Sequence, residues 1–542
     1  MPNVFNNNKL EDCFNLALLN IIKHGDTDIF PYPFESRLFE DKKDIVIDAL
    51  MDTFENFEQH KVDYQPTLIN SFSSVGYYGY RWATQIDPYW NAFFLGLVIR
   101  LSKDIEDRRA NSDKVYSYRF SPNLDEGTLF DKGISWRKYQ EDSITKCQDD
   151  SIKYILTCDI ADFYPRIYHH RLENALDRID PQREYSYKIK KLLQLFTETK
   201  SYGVPVGCPA SRILAELALD SIDQLLSMNQ ISYKRYVDDF IIFCQSKEEA
   251  HNILTFISKK LMENEGLTLQ KHKTNIVSKE EFLSVTKAKL HGSEEDEEAP
   301  MKAKFMSLPI RFDPYSANAV EEYEEIKEAL KDFDLLAMLN SELQKSKINQ
   351  SFSKHLIKAF SVTSNETISS AFKVMFNNLN ELYPIFTTIM QVASANWQKI
   401  DTTTKNIILD KIIQLIRDES YILKAELNIA YVARMLSKEN SEKSVLILTE
   451  IYKKNPESQL IKNTVTQSMA KLRVIPWLSD IKKNFAGLHP LQRRLLIISS
   501  FLLGDEGRHW RDHNKATFNF IEVIYRDWAS YRQTSRNLED AL

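Results

Sequence analysis

Two adjacent aspartates, Asp238 and Asp239, stand at the centre of ISYKRYVDDFIIFC (231–244), between Tyr236 and Val237 on one side and Phe240, Ile241 and Ile242 on the other. Two short apolar runs around a polar centre read as a β-hairpin whose turn carries the acids. Like charges held together raise one another's pKa, and an apolar setting adds a desolvation penalty. A divalent cation removes both costs, so metal binding is expected here rather than a merely solvated acidic turn.

A second acidic segment, DIADFYPRI (159–167), supplies a partner. Asp159 ends the apolar run YILTCDI (154–160), which has the look of a buried strand, and Asp162 follows three residues later. Alone, an acid just past a strand could equally cap the next helix. Together, an Asp at a strand end and a pair on a hairpin can hold two Mg²⁺ ions about 3.5–4 Å apart. Waters and substrate phosphates would complete the metal shells.

Around these motifs the texture of the chain changes twice. Leu10, Phe14, Leu18 and Ile22 recur every four residues, as on one face of a helix, and Pro31 and Pro33 then break DTDIFPYPFES (26–36). Residues 38–110 read as helix again, with 84–103 apolar on several sides. VYSYRF (115–120) reads as a strand with SPN as its turn, 171–179 and 211–227 as helices, and 248–265 as a helix closed by Gly266. LTLQKHKTNIV (267–277) reads as a final strand. This order fits a layered α+β unit.

Glycine is scarce, 13 of 542 residues, and ten of those lie in the first 300. This argues against a turn-rich all-β fold, and mostly helix is expected, above all in the second half. Helices are expected at 319–341, 353–361, 367–379, 382–398, 402–417, 420–436, 441–454, 458–471 and 490–503. Their short connections suggest antiparallel pairs resembling a degenerate solenoid.

The net charge is −6, but residues 291–300 (HGSEEDEEAP) hold five acids and no Lys or Arg, so the rest is close to balanced and can carry a local cationic groove. Five cysteines without a CxxC pair argue against a zinc site or disulfide framework and fit a reducing cytoplasm. No signal-peptide core and no run of 18 apolar residues is present, so no membrane partner is expected.

The ordered set resembles the palm of reverse transcriptases over roughly residues 112–280. Asp159 matches the first catalytic acid of that family, and YVDDF matches its YxDD box at Asp238 and Asp239. The resemblance implies Asp159, Asp238 and Asp239 as catalytic, and Asp159, Ile160, Asp238 and Asp239 as the metal-holding set. The cofactor would be two Mg²⁺ ions, for which Mn²⁺ can substitute. Tyr164 matches the aromatic steric gate that selects deoxynucleotides. GVPVGCPAS (203–211) matches the family's Gly-x-Pro-Gln-Gly-x-x-x-Ser loop, which makes Pro205, Val206 and Gly207 nucleotide-binding. Arg119 in the fingers segment and Lys273 in QKHKTNIV (270–277) are implied contacts to the triphosphate or the departing pyrophosphate.

One departure is Val206, where Gln is usual. It points toward bacterial defence-associated, abortive-infection reverse transcriptases, as do SRILAE (211–216) and GDTDIFPYPFE (25–35). Some abortive-infection members prime synthesis from a tyrosine, which makes Tyr32 a candidate. The fold expected is α+β, with right-hand polymerase fingers and palm followed by an all-α helical-repeat domain. Its parts are an N-terminal helical region (1–110), fingers and palm (111–290), an acidic linker (291–300) and a helical-repeat region (301–542) that replaces a thumb and mediates oligomerisation.

Implied partners are dNTPs, a DNA product, a noncoding RNA template and further copies of the chain. Two other readings stand beside this one. The first is a retron or group II intron-like enzyme copying RNA from a nucleic-acid primer, against which Val206 and the helical tail argue. The second is a non-catalytic RNA-binding scaffold, against which the intact acids argue. Arg508 and His513 match the Arg-x4-6-His spacing of HEPN ribonucleases, a pair that arises easily by chance.

Overall fold

Strands in the computed structural model, which describes residues 5–198, 200–291, 299–308, 310 and 326–542, are Leu68–Val75 (β1), Gly79–Ile86 (β2), Phe120–Asn123 (β3), Thr128–Phe130 (β4), Tyr154–Asp159 (β5), Tyr233–Tyr236 (β6), Asp239–Cys244 (β7) and Asn275–Ser278 (β8). The chain divides into two compact units, Met1–Leu68 with Thr84–Pro300, and Ile69–Ala83 with Met301–Leu542.

The first unit is built on one antiparallel sheet in the order β6-β7-β5-β8. Its central strands follow from composition: Ile155, Leu156, Cys158, Phe240, Ile242 and Cys244 are all buried, as expected of near-continuous apolar runs. Helix Pro209–Met228 and the helix Pro88–Glu106 pack against each other beside the sheet. The latter starts on Asp87, whose carboxylate accepts the Tyr89 N–H at 3.0 Å, with Pro88 in the first turn. It is buried on nearly every side, as 84–103 suggested, and helix Leu10–His24 lies on it.

Several sequence expectations are corrected. Residues 38–110 are not continuous helix: β1 and β2 form a hairpin, because Tyr80 and Trp82, two residues apart on β2, meet Phe72 of β1 on one face and Gly76, at φ +66°, turns the chain. VYSYRF is not a strand up to Phe120. Tyr118 has φ +47°, and the Ser117 and Arg119 side chains are drawn into buried polar contacts, so pairing begins only at Phe120. SPN is therefore strand, and the turn follows at 124–127. The strand expected over 267–277 is interrupted by a helical turn, Lys271–Lys273, and resumes at Asn275. Residues 292–298 of the acidic stretch lie outside the described residues.

In the second unit, described residues from 326 onward are helical and turn structure. Helices begin repeatedly on a polar cap, with Asn349, Ser364, Asp401, Ser441, Ser458 and Asn519 each accepting a backbone N–H. Every second helix stacks on the next but one: Phe386–Ala395 on Glu426–Leu436, that on Gln459–Lys471, and Asn365–Asn377 on Thr402–Arg417. This is the stacking of a helical-repeat array. The helix expected over 319–341 ends early and restarts at Leu335 behind the Asp334 cap; its residues 319–325 lie outside the described residues. Ile475–Ile481, Gly504–Asn514 and Phe520–Ser535 are further helices that periodicity did not reveal.

Candidate active site

Strand register brings the acids together. β5 pairs antiparallel with β7, so that Asp159 lies directly opposite Asp239. The two-residue turn between β6 and β7 is Val237–Asp238, which delivers Asp238 to the same end of the sheet. One carboxylate oxygen from each of Asp159, Asp238 and Asp239 lies within 4.8 Å of the others. Asp159 is buried, and Asp238 and Asp239 are half-buried. Burial, and then the Asp159 charge, push the Asp238 carboxyl up to about 6. Burial and the charges of Asp238 and Asp159 push Asp239 up to about 7. The cluster is therefore electrostatically strained, and all its donors are the hard oxygens that Mg²⁺ or Mn²⁺ prefers.

The turn itself is strained. Val237, a β-branched residue, sits at φ +56°, a conformation that costs on the order of 1–3 kcal/mol. Its surroundings over-determine it. The Val237 N–H donates to Ser117 Oγ at 2.9 Å, and its carbonyl accepts from Arg235 Nη1 at 2.6 Å. The Ile160 N–H donates to the Asp238 carbonyl at 3.2 Å, and Tyr139 Oη donates to that of Asp239 at 3.2 Å.

Behind the turn lies a buried ionic network. Arg235, with no exposed surface, pairs with Asp223 at 2.5 Å and Glu216 at 3.0 Å. Glu216 also pairs with Arg109 at 2.7 Å and accepts from Ser117 Oγ. A charged pair inside a strand sequence such as YKRYV looks like a solvent face, so sequence reading missed this support.

Lys273 does reach the acids. The helical turn that interrupts 267–277 carries its Nζ to 2.7 Å from Asp159 Oδ2. Burial works against the ammonium, but the Asp159 pairing prevails and holds its pKa above the ordinary lysine range. Ile160 is buried next to Asp159 and can offer only its main-chain oxygen.

Tyr164 and the 203–211 loop are joined, since the Val204 N–H donates to the Tyr164 carbonyl at 3.0 Å. Burial raises the Tyr164 hydroxyl well above its usual range, and the Asp238 charge adds to this. In the loop, the Val206 carbonyl accepts the Thr84 N–H at 3.0 Å, and Cys208 Sγ reaches the Pro205 carbonyl at 3.9 Å. Gly203 and Gly207 have φ +99° and +120°, which only glycine adopts readily. At Gly207 a Cβ would also stand 3.4 Å from Ile29 and Thr27. The 25–35 segment therefore backs the loop, and Arg212 ties it down through Asp28 at 2.6 Å.

Arg119 is turned into the fold. Its guanidinium is buried on Glu106 at 2.7 Å, on the Val115 carbonyl at 2.8 Å and on the Ala110 carbonyl, which fixes the approach to β3. Arg212 is the cation beside this region, over the Tyr118 ring at 5.2 Å. Its signal was its place directly after the loop in SRILAE. Tyr32 donates its hydroxyl to the Ile21 carbonyl at 3.3 Å. Arg508 pairs with Asp505 at 3.0 Å on the helix Gly504–Asn514, where a five-residue spacing turns His513 well away from it.

The family described as "Reverse transcriptase (RNA-dependent DNA polymerase)" matches residues 101–297. That span holds the acids, the 203–211 loop and Lys273, and the chain is a nucleotidyltransferase of the RNA-directed DNA polymerase type. Among solved structures, the chain is similar to apo telomerase from Candida tropicalis, at 12% identity and TM-score 0.31, with 79% of this chain and 73% of that chain covered. It is similar also to telomerase from Candida albicans in complex with a fragment of telomeric RNA, at 12% identity and TM-score 0.29, with coverage of 72% and 67%. At such scores these likenesses carry no weight beyond themselves. No curated protein matches the chain. Among the described residues, no helix is long and apolar enough to cross a membrane.

Proposed function

We propose that this chain is a reverse transcriptase-family DNA polymerase that adds deoxynucleotides to a growing DNA strand in antiphage defence of the abortive-infection type. The observation that carries the chemistry is the register of β5 on β7, which sets Asp159 against Asp239 with Asp238 beside them. Asp159, Asp238, Asp239 and the Ile160 main-chain oxygen are the residues that would hold divalent metal. Bound there, Mg²⁺ or Mn²⁺ would supply an activated attacking hydroxyl and charge compensation for the leaving pyrophosphate.

The chain's own residues supply the rest. Tyr164, held against the loop, would exclude a ribose 2′-hydroxyl. Pro205, Val206 and Gly207 would shape the pocket for base and sugar. Lys273, already cationic beside Asp159, would donate a proton or a hydrogen bond to the pyrophosphate. Arg212, paired with Asp28 but half-buried, is better placed than the buried Arg119 to meet a phosphate.

The defence assignment is supported by Val206 in place of Gln and by the 25–35 segment packed behind the loop. It carries with it a cytoplasmic location, self-association through the helical repeats of 301–542, and protein-primed or non-templated synthesis, with Tyr32 as one candidate primer. Incubation of the full chain with labelled dNTPs and Mg²⁺, followed by protease or nuclease, tests these statements. Label that stays with protein after heat denaturation, and is released by protease, supports protein priming. Label seen only with added RNA and primer assigns ordinary template copying. No incorporation, matched by Asp238→Ala, overturns the polymerase reading.

A further inference from the structure

The part of the hairpin β1–β2 that belongs to the second unit, Ile69–Ala83, carries a continuous run of rings. Phe72 and Trp82 stack with centroids 4.0 Å apart, and Phe72 meets Tyr80 edge-on at 6.2 Å. The Tyr80 hydroxyl lies 3.0 Å from that of Tyr383, whose ring stands edge-on to Tyr421 at 5.2 Å. Tyr383 is buried and anchors the run. Phe72, Tyr80, Trp82 and Tyr421 are each 47 to 55% exposed. Rings left half in water side by side mark a surface built to be covered.

The opposite demand, to hold the hairpin still, is met separately. The Tyr77 hydroxyl donates to the Glu381 carbonyl at 2.7 Å and accepts the Ile348 N–H at 3.2 Å. Phe72 and Trp82 take no part in these bonds, and of the exposed hairpin rings Tyr80 alone adds one, to Tyr383. The platform is presented by a fixed element.

Charge selects the occupant. Residues 68–86 contain no acid, and their one charged side chain, Arg81, is exposed and makes no ion pair among the described residues. At the hairpin tip, exposed Lys347 lies 5.0 Å over the Tyr78 ring and is likewise without an ion pair. Open ring faces on an acid-free ribbon, with Lys347 over Tyr78 and Arg81 leaving from the other face of the strand between Tyr80 and Trp82, suit a polyanion whose units have flat faces of their own. An apolar protein partner would not call for unpaired cations, and a duplex keeps its base faces covered. We infer that this aromatic track on β1–β2 is a binding site for single-stranded nucleic acid, with bases stacked on Phe72, Trp82 and their neighbours and phosphates met by Arg81 and Lys347.

The inference does not depend on turnover, so it is tested in EDTA on the full chain carrying Asp238→Asn. Fluorescence anisotropy of labelled oligo(dT) and oligo(rU) should show tighter binding than to a duplex of equal length. Adding Phe72→Ala with Trp82→Ala should weaken single-strand binding at least about tenfold and leave duplex binding unchanged. Tyr80→Phe, which keeps the ring, should bind as before. Arg81→Gln, an exposed change that spares the fold, should lower the slope of log affinity against log salt by about 0.7. Unchanged affinity in the double variant together with an unchanged salt slope in Arg81→Gln would overturn the inference. Loss of self-association in the double variant, with single-strand binding intact, would assign the face to a second copy and overturn it equally.

Discussion

Replacing Asp238 with Asn should make the metal-free protein more stable while removing its activity. The Asp238 carboxyl titrates at about 6 in the folded chain, against 3.8 when unperturbed. At 1.36 kcal/mol per pKa unit, keeping it ionised above that range costs the fold up to about 3 kcal/mol. The side chain is only half-buried, so solvent screening brings the expected gain to about 1–3 kcal/mol. The sign sets the pH window. Below about pH 4 the group is protonated both folded and unfolded, and nothing is lost. As pH rises the unfolded chain releases its proton first, so wild-type stability falls until about pH 6, where the full cost is reached. Urea unfolding in EDTA should therefore show Asp238→Asn ahead at about pH 8 and level with wild type near pH 4. Added Mg²⁺ should stabilise wild type and narrow the gap, since ligand binding to the folded state adds RT ln(1 + [L]/Kd). A variant less stable than wild type at pH 8 in EDTA, or a gap that does not change with pH, would refute this reasoning.

Three further outcomes follow from the same geometry. Arg235→Met leaves Glu216 and Asp223 as buried acids without their shared partner, and should cost about 3–5 kcal/mol in urea unfolding together with loss of incorporation. Gly207→Val places a β-branched residue at φ +120° against Ile29 and Thr27; steady-state kinetics should show a raised KM for dNTP with a smaller change in melting temperature than Arg235→Met gives. Lys273→Met removes the ammonium that competes with a cation for Asp159, so the Mg²⁺ concentration for half-maximal rate should fall while the maximal rate also drops.

What the sequence revealed and what it hid divide along physical lines. The β5 strand, the Asp238–Asp239 hairpin and the helix 209–228 were legible because each announces itself by local apolar periodicity. The β1–β2 hairpin was not legible because serines fill its other positions and no apolar run flags it, although its aromatic alternation was visible. Residues 115–120 have strand-like composition, yet tertiary demands on Ser117 and Arg119 bend them away from pairing. Lys273 was noticed, but only the helical turn Lys271–Lys273 brings it to Asp159. Arg235 could not be assigned a buried role from sequence, because its partners Asp223 and Glu216 lie 12 and 19 residues away on the helix Pro209–Met228.

The central claim, that Asp159, Asp238 and Asp239 together form a divalent-metal centre, is tested most directly by Mn²⁺ titration of the full chain followed by electron paramagnetic resonance. Wild type should take up Mn²⁺, and Asp159→Ala, Asp238→Ala and Asp239→Ala should each lose that uptake while remaining folded. Equal Mn²⁺ binding by wild type and all three variants would contradict it.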